Sequence, residues 1–240
     1  MLFRSHFVDM VLVKLADRVV DRYFVQSSEE LEEFPKLWGV SKAKMRRCLY
    51  FTSIKNSDIS EPEPPPGDHI FAGGNGHRDY DTLIEVARKM PYQKFVFATR
   101  RLDDVQNLPE NISARQVPHT EFVRLMRSSI AVVIPIKKGL SRAAGQQSYL
   151  NAMLLRKPCI VNEGFGVQDH IVNGENAIVV DGSVDSYLQA LNWVLDPQNS
   201  ESISKMCAAA QIVSEKFSRL NHLRNAVDLV REMVERSQGL

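Results

Sequence analysis

The chain has 240 residues, 44% hydrophobic and 25% charged, with 30 lysines and arginines against 29 aspartates and glutamates. Such values fit a globular protein with one good core and room for a small second lobe, and a formal charge of +1 argues against a general nucleic-acid binder. Three dispersed cysteines (Cys48, Cys159, Cys207) and six scattered histidines form no CxxC or HExxH pattern, so a disulfide scaffold and a protein-held metal are unexpected and a reducing cytoplasm is the expected compartment.

The first apolar run, FVDMVLVKLADRVV, is broken by Asp9, Lys14, Asp17 and Arg18 before it reaches the ~18 residues a membrane span needs. The same charges spoil a signal-peptide core. The run predicts an amphipathic helix over 2–19, with Phe7, Met10, Val11, Val13 and Leu15 on one broad face. Packing against a sheet or lobe is the expected role of that face; peripheral contact with a membrane is the alternative. A strand over 22–26, a helix from a Ser27/Ser28 cap through Trp38, and a short strand over 48–52 follow. Then comes SEPEPPPGD at 60–68, whose prolines forbid helix and central strand and so mark a stiff linker. The organisation expected is a small N-terminal lobe at 1–60, a linker at 61–67 and the main domain at 68–240.

Beyond the linker, apolar strands alternate with amphipathic helices. HIFAG is a strand and 79–90 a helix; KFVFAT and SARQV are strands; 120–127 is a helix capped by Thr120; IAVVIPI is an apolar strand. A helix at 147–156, strands PCIVN and NAIVV, and helices at 184–195, 201–217 and 219–237 complete the chain. This alternation predicts an α/β fold, a doubly wound, Rossmann-like parallel sheet covered on both faces.

Ligands of such sheets bind beyond the carboxyl ends of the strands. After HIFAG comes Gly73-Gly74-Asn75-Gly76-His77-Arg78: glycines that let backbone approach a ligand, a helix start that attracts anions, and a guanidinium that can grip two phosphate oxygens. After KFVFAT stand Arg100 and Arg101. After IAVVIPI come Lys137 and Lys138 and a second small-residue loop, GLSRAAGQQSYLNAM, again running into a helix start. Two such loops on one crevice suit a diphosphate. Gln146, Gln147, Ser148 and Asn151 suit a hydroxyl-rich ligand. The glycine-bearing loop at 163–170 reads as a turn or a ligand-approaching loop, and His119 as structural more than catalytic. Neither the GxSxG elbow nor the P-loop pattern is present.

From about residue 68 onward, FAGGNGHRDYDTLIEVA, VPHTEFVRLMRSSIAVVIPI and AAGQQSYLNAMLLRKPCIVNEGFGVQDHIVNGENAIVV resemble the C-terminal, donor-binding domain of GT-B glycosyltransferases of the retaining, nucleotide-diphosphate-sugar class. KLADRVVDRYFVQSSEELEEF with MRRCLYFTS is similar to the end of that family's N-terminal domain. The resemblance implies glycosyl transfer from a nucleotide sugar, without metal or further cofactor. It implies a donor site at Gly74, Asn75, Gly76, Arg78, Arg100, Val117, His119, Lys138, Gly145, Gln146, Gln147, Ser148 and Asn151. Arg78 and Lys138 are the candidates to neutralise the departing diphosphate, and 115–119 would lie beside the base. The chain departs from the family in two respects. The family's paired glutamates fall on Ala143 and Asn151, so that either neighbours such as Ser141 or Gln146 serve the donor sugar or donor handling differs. Most of the acceptor domain is also expected to be missing, so that the chain would be either truncated or a subunit completed by a separate acceptor-domain partner, with a homodimer as a further option. The alternative is a non-catalytic nucleotide-sugar-binding or scaffold protein of the same fold.

Overall fold

The computed structural model describes residues 6–48, 50–60 and 62–238. Positions 2–5 of the expected first helix, position 49 of the expected strand and position 61 of the linker lie outside the described residues. The small lobe comprises α1 (His6–Ala16), β1 (Tyr23–Val25), α2 (Ser28–Trp38), β2 (Met45–Arg47) and a short α3 (Asn56–Ser60). Ser27 caps α2 in a capping box: its hydroxyl accepts from the Glu30 amide while the Glu30 carboxylate accepts from the Ser27 amide. Gly39, at φ 64°, ends the helix in the left-handed region.

The strand expected over 48–52 lies earlier, at Met45–Arg47, where it pairs in parallel with β1 from Tyr23↔Met45 to Val25↔Arg47. Buried Met45 anchors it on Val25 and Val40. The chain then leaves the sheet: the Thr52 amide donates to the Phe217 carbonyl, and the Phe51 ring packs on His222 at 4.6 Å. The aromatic content of 48–52 thus serves contact with the C-terminal helices and not a ladder.

The main domain comprises β3 (His69–Gly73), α4 (Tyr80–Lys89), β4 (Lys94–Ala98), β5 (Ile112–Arg115), α5 (His119–Ser128), β6 (Ala131–Ile134), α6 (Gln146–Leu154), β7 (Cys159–Asn162), β8 (Ile178–Val180), α7 (Val184–Leu195), α8 (Ser200–Glu215) and α9 (Arg219–Gln238). Its six strands run parallel in the order β5-β4-β3-β6-β7-β8. Alternate residues feed two cores, as the pleat requires. Ile70, Ala72, Phe95, Phe97, Val133 and Ile160 face Leu83 and Val86 of α4 and Tyr187 and Leu191 of α7. Phe71, Val132, Ile134 and Val161 face Met126 of α5, Tyr149, Leu150 and Met153 of α6 and Ala210 of α8. Each large side chain fully buried this way contributes about 1.5–3 kcal/mol.

The lobe is fastened to this domain by hydrogen bonds at the start of α2 and the end of β2. Asp169 accepts from the Ser28 amide (2.8 Å), the Ser28 hydroxyl (2.5 Å) and Arg47 (2.8 Å). Glu29 accepts from the Gly166 amide, and Glu30 from the Ala143 amide at 2.7 Å. Among the described residues no helix is long and apolar enough to cross a membrane.

Candidate functional site

The strand order reverses between β3 and β6, the place where an open α/β sheet leaves a crevice. A cavity of about 520 Å³ opens there, within the range of small-molecule sites. Its floor is the turn after β3 and the start of α6, one wall carries Val117, His119 and Phe122, and the lobe closes the other side with Gln26, Tyr50 and Ser53.

Arg78 is the centre of this arrangement. It is 6% exposed. Its Nε donates to the Gly73 carbonyl (3.3 Å), Nη1 to the Gly76 carbonyl (2.9 Å) and Nη2 to the Ser148 hydroxyl (2.9 Å). All three acceptors are neutral. Among the described residues lining the cavity there is no aspartate or glutamate. Burial accordingly pulls the guanidinium's pKa below its ordinary value. A buried cation held by neutral dipoles alone is costly, and an anion in the cavity would offset that cost.

The surroundings point the same way. Burial first, then the charges of Arg142, Arg78, Lys137 and Arg101, lower the pKa of His77, so its imidazole is neutral at pH 7 within a positive field. Gly145 caps α6 in the left-handed region (φ 80°), and no side chain caps that helix. A β-carbon on Gly145 would come within 3.0 Å of Ile136 and 3.1 Å of Ile134. A β-carbon on Gly76 would meet nothing within 4 Å, so the backbone there stands open. Asn75 stiffens the turn by accepting from the Thr99 hydroxyl (2.9 Å) and the Arg100 amide (3.0 Å). The Tyr80 hydroxyl adds a bond to the Gly74 carbonyl.

Gly74, Asn75, Gly76, Arg78, Val117, His119, Gly145, Gln146, Gln147, Ser148 and Asn151, all singled out from the sequence, line this one cavity. Arg100 and Lys138 do not. The Arg100 side chain is exposed and only its amide reaches Asn75, while Lys138 lies beside Gly182 and Asp181, past β8. Two of the polar residues are already committed. The Asn151 amide accepts from the Ser53 amide (2.9 Å) and donates to the Ser53 hydroxyl (2.8 Å), and Gln146 donates to the Gln26 carbonyl (2.8 Å). His119 stands 3.3 Å from Asp58. Sequence reasoning missed Gln26, Tyr50 and Ser53 from the lobe, and Phe122 and Arg142; His77 stands in the glycine turn already singled out. Gln26 was findable, since it follows β1 at the carboxyl end of a parallel pair and so obeys the same rule as the main strands. Among the described residues no group of three or more His, Cys, Asp or Glu is placed to hold a metal ion.

No protein-family model matches the chain, and no curated protein matches it. Solved structures do resemble it. Anabaena Alr3699/HepE in complex with UDP matches at 15% identity and TM-score 0.77, over 96% of this chain and 69% of its own. A glycosyltransferase from Rickettsia africae ESF-5 matches at 12% identity and TM-score 0.74, over 94% and 67%. Sucrose-phosphate synthase from Thermosynechococcus elongatus matches at 15% identity and TM-score 0.71, over 94% and 62%. The likeness establishes the fold, a helix-flanked, all-parallel Rossmann-like sheet of the GT-B kind. The chain spans about two thirds of the length of these structures.

Proposed function

We propose that the crevice holds the diphosphate of a nucleotide sugar and that the chain is the donor-binding part of a glycosyltransferase. The observation that carries this reading is Arg78, a buried guanidinium in a cavity whose lining, among the described residues, holds no carboxylate. HepE, one of the structures similar to this chain, has been solved with UDP and with UDP-glucose, and that ligand chemistry suits these groups.

In the reaction proposed, the bond from the anomeric carbon to the terminal phosphate oxygen breaks, and its electron pair stays on that oxygen. The acceptor hydroxyl oxygen forms the new glycosidic bond and its proton leaves to the phosphate or to solvent. Negative charge grows on the departing diphosphate, which is where Arg78, Ser148 and the uncapped start of α6 are fixed in advance. Retention at the anomeric carbon and independence from metal follow from the family resemblance and belong to this proposal. We place the acceptor on a further acceptor-binding unit, in a longer chain or in a partner. Its seat would be the exposed apolar residues Val11, Leu12 and Leu15 of α1 and Leu220, Leu223, Val227 and Val230 of α9. α1 belongs to the lobe, and α9 packs on it with His222 against Phe51. A second copy in that seat would appear instead as a dimer in light scattering.

The absence of a carboxylate among the described lining residues, with Ala143 where the family has a glutamate, favours a second reading: a protein that binds nucleotide sugars without transferring them. Chromatography of a sugar nucleotide incubated with the protein and candidate acceptors separates the two. Release of nucleoside diphosphate together with a glycosylated acceptor supports transfer. Saturable binding without turnover for any acceptor supports the second reading.

A further inference from the structure

The crevice has two ends of different chemistry. On the β5 side, Val117 and Phe122 make an apolar wall suited to a planar base, with Phe122 packed edge-on against Phe71 at 5.0 Å. Arg78 and the start of α6 occupy the middle. Beyond β6 lie Arg142, Ala143 and Ala144, facing Gln26 of the lobe.

Two of the amide side chains that line the crevice are engaged within the protein. The Gln146 side-chain N–H bonds Gln26, and both polar atoms of the Asn151 amide bond Ser53. Ala143 and Ala144 offer no polar side chain. Gln147, exposed on the cavity wall, remains for the hydroxyls of a sugar. Arg142 is exposed, and among the described residues no carboxylate stands within ion-pair distance of it. Its backbone is nonetheless held in place. The adjoining Ala143 amide donates to buried Glu30, which also accepts from the Gln26 and Ser27 amides. Arg142 also walls a second cavity of about 390 Å³ against the lobe, lined by Phe24, Phe34 and Trp38, so its guanidinium stands at the junction of the two.

We propose that the glycosyl group bound here carries a carboxylate, so that the donor is a nucleotide linked to an acidic sugar of the uronate type, and that Arg142 is the residue that selects it. The inference rests on the reading of the crevice as a nucleotide-sugar site. A carboxylate would meet an unpaired guanidinium able to bond both of its oxygens, where a neutral hydroxymethyl group would gain nothing comparable.

The experiment has two stages. Titration with UDP, GDP and ADP first identifies the base. The matched glucose and glucuronate forms of that nucleotide are then compared on the wild type, Arg142→Gln and Arg142→Lys. The wild type is expected to bind the glucuronate form about tenfold more tightly than the glucose form. Arg142→Gln should remove most of that ratio by weakening the glucuronate form, with smaller effects on the glucose form and on the bare diphosphate. Arg142→Lys should restore part of it. Equal affinities in the wild type would overturn the proposal. So would an Arg142→Gln variant that weakens all three ligands alike, because Arg142 would then serve the diphosphate. If no diphosphate binds, the reading of the crevice fails as well, a result distinct from loss of the uronate preference alone.

Discussion

Arg78 donates to two carbonyls and a hydroxyl in a buried setting, and a positive charge so placed opposes folding until an anion arrives. Two effects of opposite sign follow for Arg78→Met. The ligand-free protein should have an unchanged or higher urea midpoint, and affinity for a nucleoside diphosphate should fall more than about tenfold. A variant that binds as tightly as the parent would remove Arg78 from the site. Arg78 was legible in the sequence because it ends a glycine turn between an apolar strand and an amphipathic helix. Arg100 and Lys138 looked equivalent, but a cation just past a strand end does not reveal on which side its loop turns. Gln146 and Asn151 were recognisable as hydrogen-bonding residues. Their partners Gln26 and Ser53 lie 120 and 98 positions away, so local pattern could not tell that these amides are occupied.

Among the elements, α6 and α2 hold the cavity's shape. Gly145→Ala would force a side chain into the left-handed region against Ile134 and Ile136, at a cost of about 1–3 kcal/mol that denaturant titration would read. Glu30→Ala would strip the acceptor from three amides, two in the lobe and one at Ala143. A loss of at least about 2 kcal/mol is expected, with faster proteolysis of the loop before α6. Acid should weaken the fold for an identifiable reason. His170 is buried against Tyr149 and Phe217, and its pKa is pulled below the ordinary 6.5 by that burial. The unfolded chain therefore takes up the proton more readily than the folded one. Stability is full above about pH 6.5 and is lost as pH falls through the lowered value. His69 and His77 are lowered in the same direction, also chiefly by burial. The urea midpoint should thus drop between pH 7.5 and pH 5.5, and His170→Gln should flatten that slope in part. A flat profile in the parent would contradict this account. Most strands and helices were readable from period and caps. The misplaced β2 was not: MRR has no apolar alternation, whereas the aromatic run after it looks like a strand and packs on α9 instead.

At the scale of the whole molecule, the alternation of strands and helices announces a parallel sheet, and right-handed crossovers leave few orders for it. The crevice at β3 and β6 follows from that order. What the sequence concealed is that the lobe is a wall of the same crevice, fastened through Asp169, Glu29 and Glu30. Those contacts are long-range and polar, and no local periodicity encodes them. The apolar rows on α1 and α9 give a further expectation, since contiguous exposed patches of this kind mark docking surfaces. The isolated chain should bind an apolar dye or self-associate, and Val227→Glu should reduce either signal. A monodisperse monomer that binds no dye would remove the docking surface from the account. The central claim is that the crevice is a diphosphate site. Isothermal titration with UDP, GDP and ADP, on the wild type and on Arg78→Met, tests it most directly. The account predicts saturable binding of one nucleotide, weakened more than about tenfold by the substitution. Absence of binding by all three, or binding indifferent to Arg78, would contradict it.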